Sequence, residues 1–404
     1  MWYAGIDWAN DHHDALVIDE QGHQVGTIRV NHTPAGLATL NTFLQHIIAT
    51  APKEQMACII ETTHGLLIAH LLEAGWPVYP VNPRTVDRKR SASGAKTDRI
   101  DAYLLAKTGR ADLADLHRLI PDSEKIAELK LLTRDQDALV QMQTRLINQL
   151  TACLKAYYPV ALDLFGKLNQ KSTLLFLQAY PTPAAAACAS RSQIQQLLEQ
   201  ARYPQARKAA SQIAEQLHQP QLQADPATIR AKSRLLQALV SQLVPLIEQI
   251  AQYDKEISTL FLTHEDHEIF ESLPRAGSRL APRLLAEIGD DRTRYQAANS
   301  LQALGGTSPV LYQSGMYSKA HRRLGCVKPL RNALYQFAWQ TTQSEAWAKD
   351  YYQRKRIEGK SHTVAIRALA NVWVRIIFAM WTRRECYQTA TFELAQHQHA
   401  RTAA

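Results

Sequence analysis

Cysteine is scarce and scattered in this chain: Cys58, Cys153, Cys188, Cys326 and Cys386 include no CxxC pair. Neither a zinc site nor a disulfide framework is therefore written into the sequence. The odd count, with no secretory leader, leads us to expect a reducing cytoplasm. No apolar run approaches the roughly 18–20 residues of a membrane span. The histidine-bearing stretch from His264 to His267 lacks a sustained ligand pattern and reads as surface.

What is present is a chain of 404 residues with 46% hydrophobic and 21% charged positions, enough for two or three folded units with proper cores. Its formal net charge is +9, which favours a polyanionic partner without bearing on fold.

Three β-like segments come first: WYAGIDWA from Trp2, DALVIDEQG from Asp14 and VGTIRVN from Val25, with a hairpin turn around Glu20, Gln21 and Gly22. Pro34 to Ile47 opens on proline and carries spaced apolar positions, so a helix is expected. MACIIE is a compact strand, GLLIAHLLEAG a helix stopped by Gly75, PVYPVN a fifth strand, and Asp98 to Gly109 a further helix. The order β-β-β-α-β-α-β-α is that of a ribonuclease-H-like α/β fold, whose mixed sheet has its first three strands antiparallel. From Ser123 to Tyr158 the pattern becomes long and helical, anchored by Leu129, Leu132, Leu139, Leu146 and Leu150. Further helix is expected from Ser192 to Leu217 and from Pro226 to Phe261, with PTPAAAACAS as a connection. Helices this long need partners, either within the chain or in a dimer. In FESLPRAGSRLAPRLLAEIGD, Leu273-Pro274 and Gly277 precede a short helix that Gly289 stops. This reads either as a helix-hairpin-helix grip on a phosphate backbone or as a plain packing unit.

Carboxylates carry the chemistry. Asp7 interrupts the apolar strand of GIDWA, and Glu61 closes the apolar run ACII. Asp98 and Asp101 are three apart in KTDRIDAYLLA and so share one helical face. Four acids gathered at strand ends and a helix start would repel one another unless a cation neutralised them. Two metals about 4 Å apart on carboxylates can activate an attacking oxygen and stabilise a leaving one at a phosphodiester. Hard oxygen ligands favour Mg2+ or Mn2+ over zinc. Asp98 and Asp101 could equally serve as acids at a helix start, where the dipole favours them. Beside them, Arg84, Arg88, Lys89, Arg90, Lys96 and Arg99 form a basic arm suited to a phosphate backbone.

Near the C-terminus, Ser314 precedes Gly315 in a turn-prone segment, followed by Lys319, His321, Arg322, Arg323, Lys328 and Arg331. A serine attacking a phosphodiester needs such cations, although a Ser-Gly in a basic loop is also an ordinary turn. Ser308 in GGTSP is a second candidate nucleophile.

These motifs, in this order, resemble the transposases of the IS110 insertion-sequence family. The resemblance runs through GIDWA, ETT, VYPVNPR, KTDRIDAYLLA, LPRAGSRLAPRLLAEIGD, ALGGTSPVLYQSG, YSK and PLRNALY. It implies a RuvC-like domain at 1–120, a helical coiled-coil region at 121–265, a mainly α serine transposase domain at 266–390 and a flexible tail at 391–404. It further implies metal binding by Asp7, Glu61, Asp98 and Asp101, and nucleophilic attack by Ser314 through a phosphoserine intermediate. Donor and target DNA would be selected by a structured guide (bridge) RNA, and homodimers would meet in a tetrameric synaptic complex. Two departures stand out: His64 replaces a common glycine, and RRLGCVKPLR has Cys326 and Pro329 where the family often reads Arg-x-Gly-Asn. A metal-dependent Holliday-junction resolvase or nuclease, and a non-enzymatic nucleic-acid-binding scaffold, are the alternatives. Hydrolysis would leave no protein–DNA adduct, and a scaffold would not need Asp7 or Glu61 in apolar strands.

Overall fold

A computed structural model describes residues 1–87 and 97–390, which divide into two compact units, Met1–Pro121 and Asp122 onward. Arg88, Lys89, Arg90, Lys96 and the tail at 391–404 lie outside the described residues.

The first unit is a five-stranded sheet with helices on both faces. Its strands are β1 (Trp2–Trp8), β2 (His12–Ile18), β3 (Gln24–Asn31), β4 (Met56–Ile60) and β5 (Val78–Pro80), in the order β3-β2-β1-β4-β5. The β1–β2 and β2–β3 pairs are antiparallel, while β1–β4 and β4–β5 are parallel. This is the mixed ribonuclease-H-like order expected from the sequence. Helix α1 (Pro34–Ile48) starts where Thr33 accepts from the Gly36 N–H with Pro34 in the first turn. Helices α2 (Leu66–Glu73), α3 (Pro83–Asp87) and α4 (Asp98–Asp112) follow.

Strand alternation sorts the apolar residues into two cores. Ala4, Ile6, Ala15, Val17, Cys58 and Ile60 pack with α1 and α2. Tyr3, Leu16, Ile18, Ala57 and Ile59 pack with Ala102, Leu105 and Ala106 of α4. Every residue of β4 is buried, as befits a central parallel strand covered on both sides. Helix α4 lies unusually close to the sheet at Gly5. A Cβ there would come within 1.9 Å of the Ala102 carbonyl oxygen, so only glycine allows this approach.

The second unit is built on a helical hairpin of α5 (Glu124–Tyr157) and α11 (Pro226–Leu262). Gln136 Nε2 donates to Asp254 Oδ1 at 2.8 Å, and Ile126 and Leu129 share a core with Ile257 and Phe261. At the other end, Leu150 and Leu154 share a core with Leu236 and Leu243. The long helices therefore run antiparallel and partner each other within the chain. Between them lie α6 (Val160–Leu164), α7 (Lys171–Ala179), α8 (Pro183–Ala187), α9 (Arg191–Gln200) and α10 (Ala206–Leu217). The segment PTPAAAACAS, read as a connection, thus contains the short helix α8, started by Thr182 and Pro183. The stretch from Ser192 to Leu217 is two helices, broken where Arg202 and Gln205 adopt left-handed backbone.

The C-terminal part comprises α12 (His267–Glu271), α13 (Gly277–Ile288), α14 (Ala298–Leu304), β6 (Val310–Ser314), β7 (Tyr317–His321), α15 (Lys328–Thr341), α16 (Ala346–Ile357) and α17 (His362–Arg383). The reading of His264 to His267 as surface is corrected here. His264 and Asp266 are buried, because the turn between α11 and α12 is pinned by Arg292, which donates to Asp266 Oδ1 and to the Trp381 carbonyl. Helix α17 is also longer and more apolar than the sequence reading allowed, enough by length and composition to cross a membrane. Its Leu369, Trp373, Val374 and Ile377 instead fill the core of this unit. Helix α13 is buried from Leu280 to Ile288, and its cations are engaged: Arg283 pairs with Asp137 at 2.7 Å and Arg279 with Asp254 at 2.6 Å.

Candidate active site

The acids gather at one end of the sheet in the first unit. Alternation along β1 places Asp7 on the α4 face, two residues beyond Gly5. Asp14 and His12 extend the same face of β2 beyond Leu16, and Glu61 follows Ile59 by two. Asp98 and Asp101 occupy the first turn of α4, which Thr97 caps by accepting from the Ile100 N–H at 3.2 Å. Since Thr97 provides the cap, the two aspartates are not needed for it. Gly5 thus matters to the site as well as to packing, because it lets α4 bring both carboxylates down to the sheet.

Asp7 registers this convergence. Burial raises its carboxyl to about 6, and Asp101, Asp98, Glu61 and Asp14 all push the same way. The four sequence-derived acids are therefore brought within electrostatic reach of one another. Asp101 is buried, whereas Asp7, Glu61 and Asp98 are partly open to solvent.

Three further residues complete the cluster. Arg29 of β3 donates from Nε to Asp14 Oδ1 at 3.1 Å and Oδ2 at 3.0 Å, and from Nη2 to Asp98 Oδ2 at 2.9 Å. His12 Nε2 is 3.3 Å from Asp98 Oδ2, while its Nδ1 is 2.9 Å from Asp11 Oδ1. The Asp98 and Asp11 carboxylates raise the His12 pKa. His12, Asp14 and Asp98 each offer a ligand atom within 4.8 Å of the others. This donor set is consistent with a divalent cation. Sequence reasoning left His12, Asp14 and Arg29 without a role, since only the cross-strand register shows that Asp14 lies opposite Asp7.

The basic arm is described only in part. Arg84 lies on α3 with its side chain outside the description, and Arg99 is exposed, donating to Gln24 Oε1 at 3.3 Å.

Ser314 belongs to the second unit. It closes β6 of a two-stranded antiparallel hairpin in which it pairs with Tyr317 across Gly315 and Met316. Gly315 has φ of +59°, the left-handed backbone that a glycine-led two-residue hairpin turn requires. The register puts Ser314, Tyr312, Tyr317, Lys319 and His321 on one face, and the Tyr312 ring lies 6.3 Å from Tyr317 and 6.2 Å from His321. The hairpin is exposed throughout. Arg322 and Lys328 are exposed as well, while Arg323 and Arg331 are half-buried, Arg331 lying against Cys326 Sγ at 3.7 Å. Ser308 differs: its Oγ is buried with no hydrogen-bond partner among the described residues.

Comparison with known proteins decides the family. Residues 4–159 match the DEDD transposase model of IS110, and residues 267–353 match the model described as transposase, IS116/IS110/IS902 family. The chain is 33% identical to the mini-circle putative transposase for IS117 of Streptomyces coelicolor, over 91% of each chain. This chain belongs to the IS110/IS116/IS902 transposase family. The transposase is also 30% identical to an uncharacterized IS116 protein of Streptomyces clavuligerus, over 96% of each chain. To an uncharacterized IS900 protein of Mycobacterium paratuberculosis it is 28% identical, over 96% of this chain and 98% of the relative. It is accordingly an enzyme acting on DNA. The first match contains every member of the acidic cluster, and the second contains both candidate serines and the cations that follow them.

Proposed function

We propose that this transposase excises and inserts its element by cutting and rejoining DNA with two catalytic groups. Asp7, Glu61, Asp98 and Asp101 hold Mg2+ or Mn2+, and Ser314 is the nucleophile. The observation that carries this reading is the convergence of carboxylates on Asp7, whose carboxyl is raised first by burial and then by Asp101, Asp98, Glu61 and Asp14. A divalent cation bound there supplies charge neutralisation and Lewis-acid polarisation at a phosphodiester. Arg29 and His12 orient Asp98 and Asp14 around that position.

At Ser314 the hydroxyl oxygen forms a bond to phosphorus as the bond to one sugar oxygen breaks. The serine proton leaves, and the released sugar oxygen becomes a hydroxyl. Attack by a sugar hydroxyl reverses the step and reseals the strand with no external energy source. An exposed hairpin suits this, because a phosphate backbone can reach its tip. Residues 292–344 contain seven lysines and arginines and no aspartate or glutamate, a composition suited to a polyanion. In keeping with the family resemblance, a bridge RNA selects donor and target DNA in the cytoplasm, and homodimers assemble into a tetrameric synaptic complex.

The test is incubation of the full-length transposase with the element's DNA ends, the flanking non-coding transcript and Mg2+ or Mn2+, followed by denaturing electrophoresis. A covalent protein–DNA adduct is expected. Cut strands with free ends and no adduct would reassign the protein as a hydrolytic nuclease.

A further inference from the structure

On the opposite face of the same sheet end is a pocket of about 140 Å3, lined by Trp8, Asn10, His13, His32, Thr62 and Leu66 among others. Strand alternation explains its position. The pleat that turns Asp7 towards α4 turns Trp8 the other way, with Ala4 and Ile6, and its cross-strand partner His13 shares a face with Ala15. Consecutive Cα atoms lie ~3.8 Å apart. Asp7 and Trp8 therefore set the acidic cluster and the pocket on the two faces of one end of the sheet, close enough for neighbouring groups of one polymer strand.

The chemistry of the pocket narrows its occupant. Trp8 is 47% exposed and Leu66 71% exposed, so two large apolar side chains stand uncovered at the pocket. His13 is 1% exposed. Its Nε2 is 2.7 Å from His32 Nδ1, with the two rings edge to face. Its other nitrogen, Nδ1, is buried with no hydrogen-bond partner among the described residues. Leaving such a group unpaired is costly, so a ligand edge that opens the lining over this buried atom gains a hydrogen bond there. No lysine or arginine is among the residues lining the pocket, so a phosphate finds no counter-charge there. Size points the same way. Water occupies roughly 30 Å3 in the liquid, and sites for whole small molecules run to about 300–1,000 Å3. The pocket lies between, with room for one flat ring system that is uncharged, apolar on its faces and polar at its edge.

We propose that this pocket takes a single unpaired base of the DNA strand whose backbone passes the acidic cluster. Trp8 and Leu66 cover the faces of the base, Asn10 supplies a hydrogen bond to its edge, and His13 Nδ1 adds another once the base has opened the lining over it. The inference rests on the DNA-cutting reading above and deepens it, because it adds a base-reading position to a centre that otherwise handles only phosphate.

Binding alone tests it, so the experiment is run in chelator with no cleavage. Anisotropy of fluorescein-labelled oligothymidylate is compared with that of an abasic strand of equal length, for the full-length protein and its Trp8→Ala and Trp8→Phe variants. Trp8→Ala is expected to weaken oligothymidylate binding about 5- to 100-fold, to leave the abasic strand unaffected, and to be largely rescued by Trp8→Phe. If Trp8→Ala fails to fold by circular dichroism, Leu66→Ala carries the same comparison. Equal weakening on both strands, or none on either, overturns the proposal. An effect confined to a parallel oligouridylate arm overturns it by assigning the pocket to RNA. A wild-type protein that binds no DNA strand even with the flanking non-coding transcript added overturns the DNA-cutting reading itself, an outcome distinct from intact binding that ignores Trp8.

Discussion

Asp7 and Asp14 stand directly opposite each other across the β1–β2 ladder, both on the face that packs against α4. Like charges so placed oppose sheet formation. Arg29 answers one of them by gripping both oxygens of Asp14. Burial, and after it the field of the cluster, then falls on Asp7, which responds with a raised pKa. The sheet tolerates this because β1 and β2 bury apolar residues on both faces, Ala4, Ile6, Ala15 and Val17 on one and Tyr3, Leu16 and Ile18 on the other.

A stability signature follows. An unfolded aspartate titrates near 3.9, so a folded value of about 6 means that the folded state holds the proton more tightly. The stabilisation is fully present below about pH 4 and is lost as pH rises through about 6. In chelator, Asp7→Asn should therefore be more stable than wild type at pH 7, by on the order of 1 kcal/mol once solvent screening of this partly open group is allowed for. The advantage should vanish near pH 4. Urea melts across that range check it, and a pH-independent difference would mean that Asp7 is not held at high pKa.

Metal dependence is read by two measurements. Asp7→Ala, Glu61→Ala, Asp98→Ala and Asp101→Ala should each abolish excision while the protein remains folded, and excess chelator should abolish it in the wild type. Independently of activity, saturating Mg2+ or Mn2+ should raise the wild-type Tm, by about 2.7 kcal/mol of stability at a hundred times Kd. Each alanine variant should lose most of that increment. An acid whose variant keeps both excision and the shift does not belong to the site.

Nucleic-acid binding should be steeply salt-dependent. Neutralising Arg84, Arg88, Lys89 and Arg90 together should flatten the slope of log affinity against log salt by roughly 3–4 units, at about 0.9 per phosphate contact on duplex DNA. An unchanged slope in the quadruple alanine variant would make the arm ordinary solvated surface.

How much of this was legible in the sequence depended on what each element's signal was made of. Strand signals such as the alternation in GIDW and the continuous apolar run MACII, with the proline and glycine punctuation around α1 and α2, were enough for the element order of the sheet. Asp7 and Glu61 were conspicuous because each broke or closed an apolar run. Asp14, His12 and Arg29 were not, since polar residues near a strand end look like any solvated edge until the register is known. The pocket at Trp8 was likewise hidden, being made by β1, β2 and the loop before α2 together. Burial of His264 and Asp266 escaped because it depends on Arg292, more than twenty residues away. Short helices such as α6 and α8 carry too few turns to leave a periodic trace.

The two serines of the second unit make opposite predictions for adduct formation. Ser308 Oγ is buried with no partner among the described residues, so a phosphate could reach it only after the GGTSP loop rearranged. Ser314 lies next to the tip of an exposed hairpin, on the same face as Lys319, a cation available to the transferring phosphoryl group. Among the described residues its hydroxyl has no triad partner in the hairpin: His321 shares that face but lies four positions along β7 from Tyr317, the residue paired with Ser314. On the proposed two-centre reading, activation comes from cations and from a metal held by the acids, and the adduct should require both Ser314 and a divalent metal. Ser314→Ala should retain DNA and RNA binding within a few-fold and form no adduct. Ser308→Ala should still form it, with any loss traceable to stability. Mass analysis of a trapped complex should place the nucleotide on the peptide containing YQSGMYSK. A nucleotide on the Ser308 side of Val310, or an adduct that persists in Ser314→Ala, would remove Ser314 from the reaction.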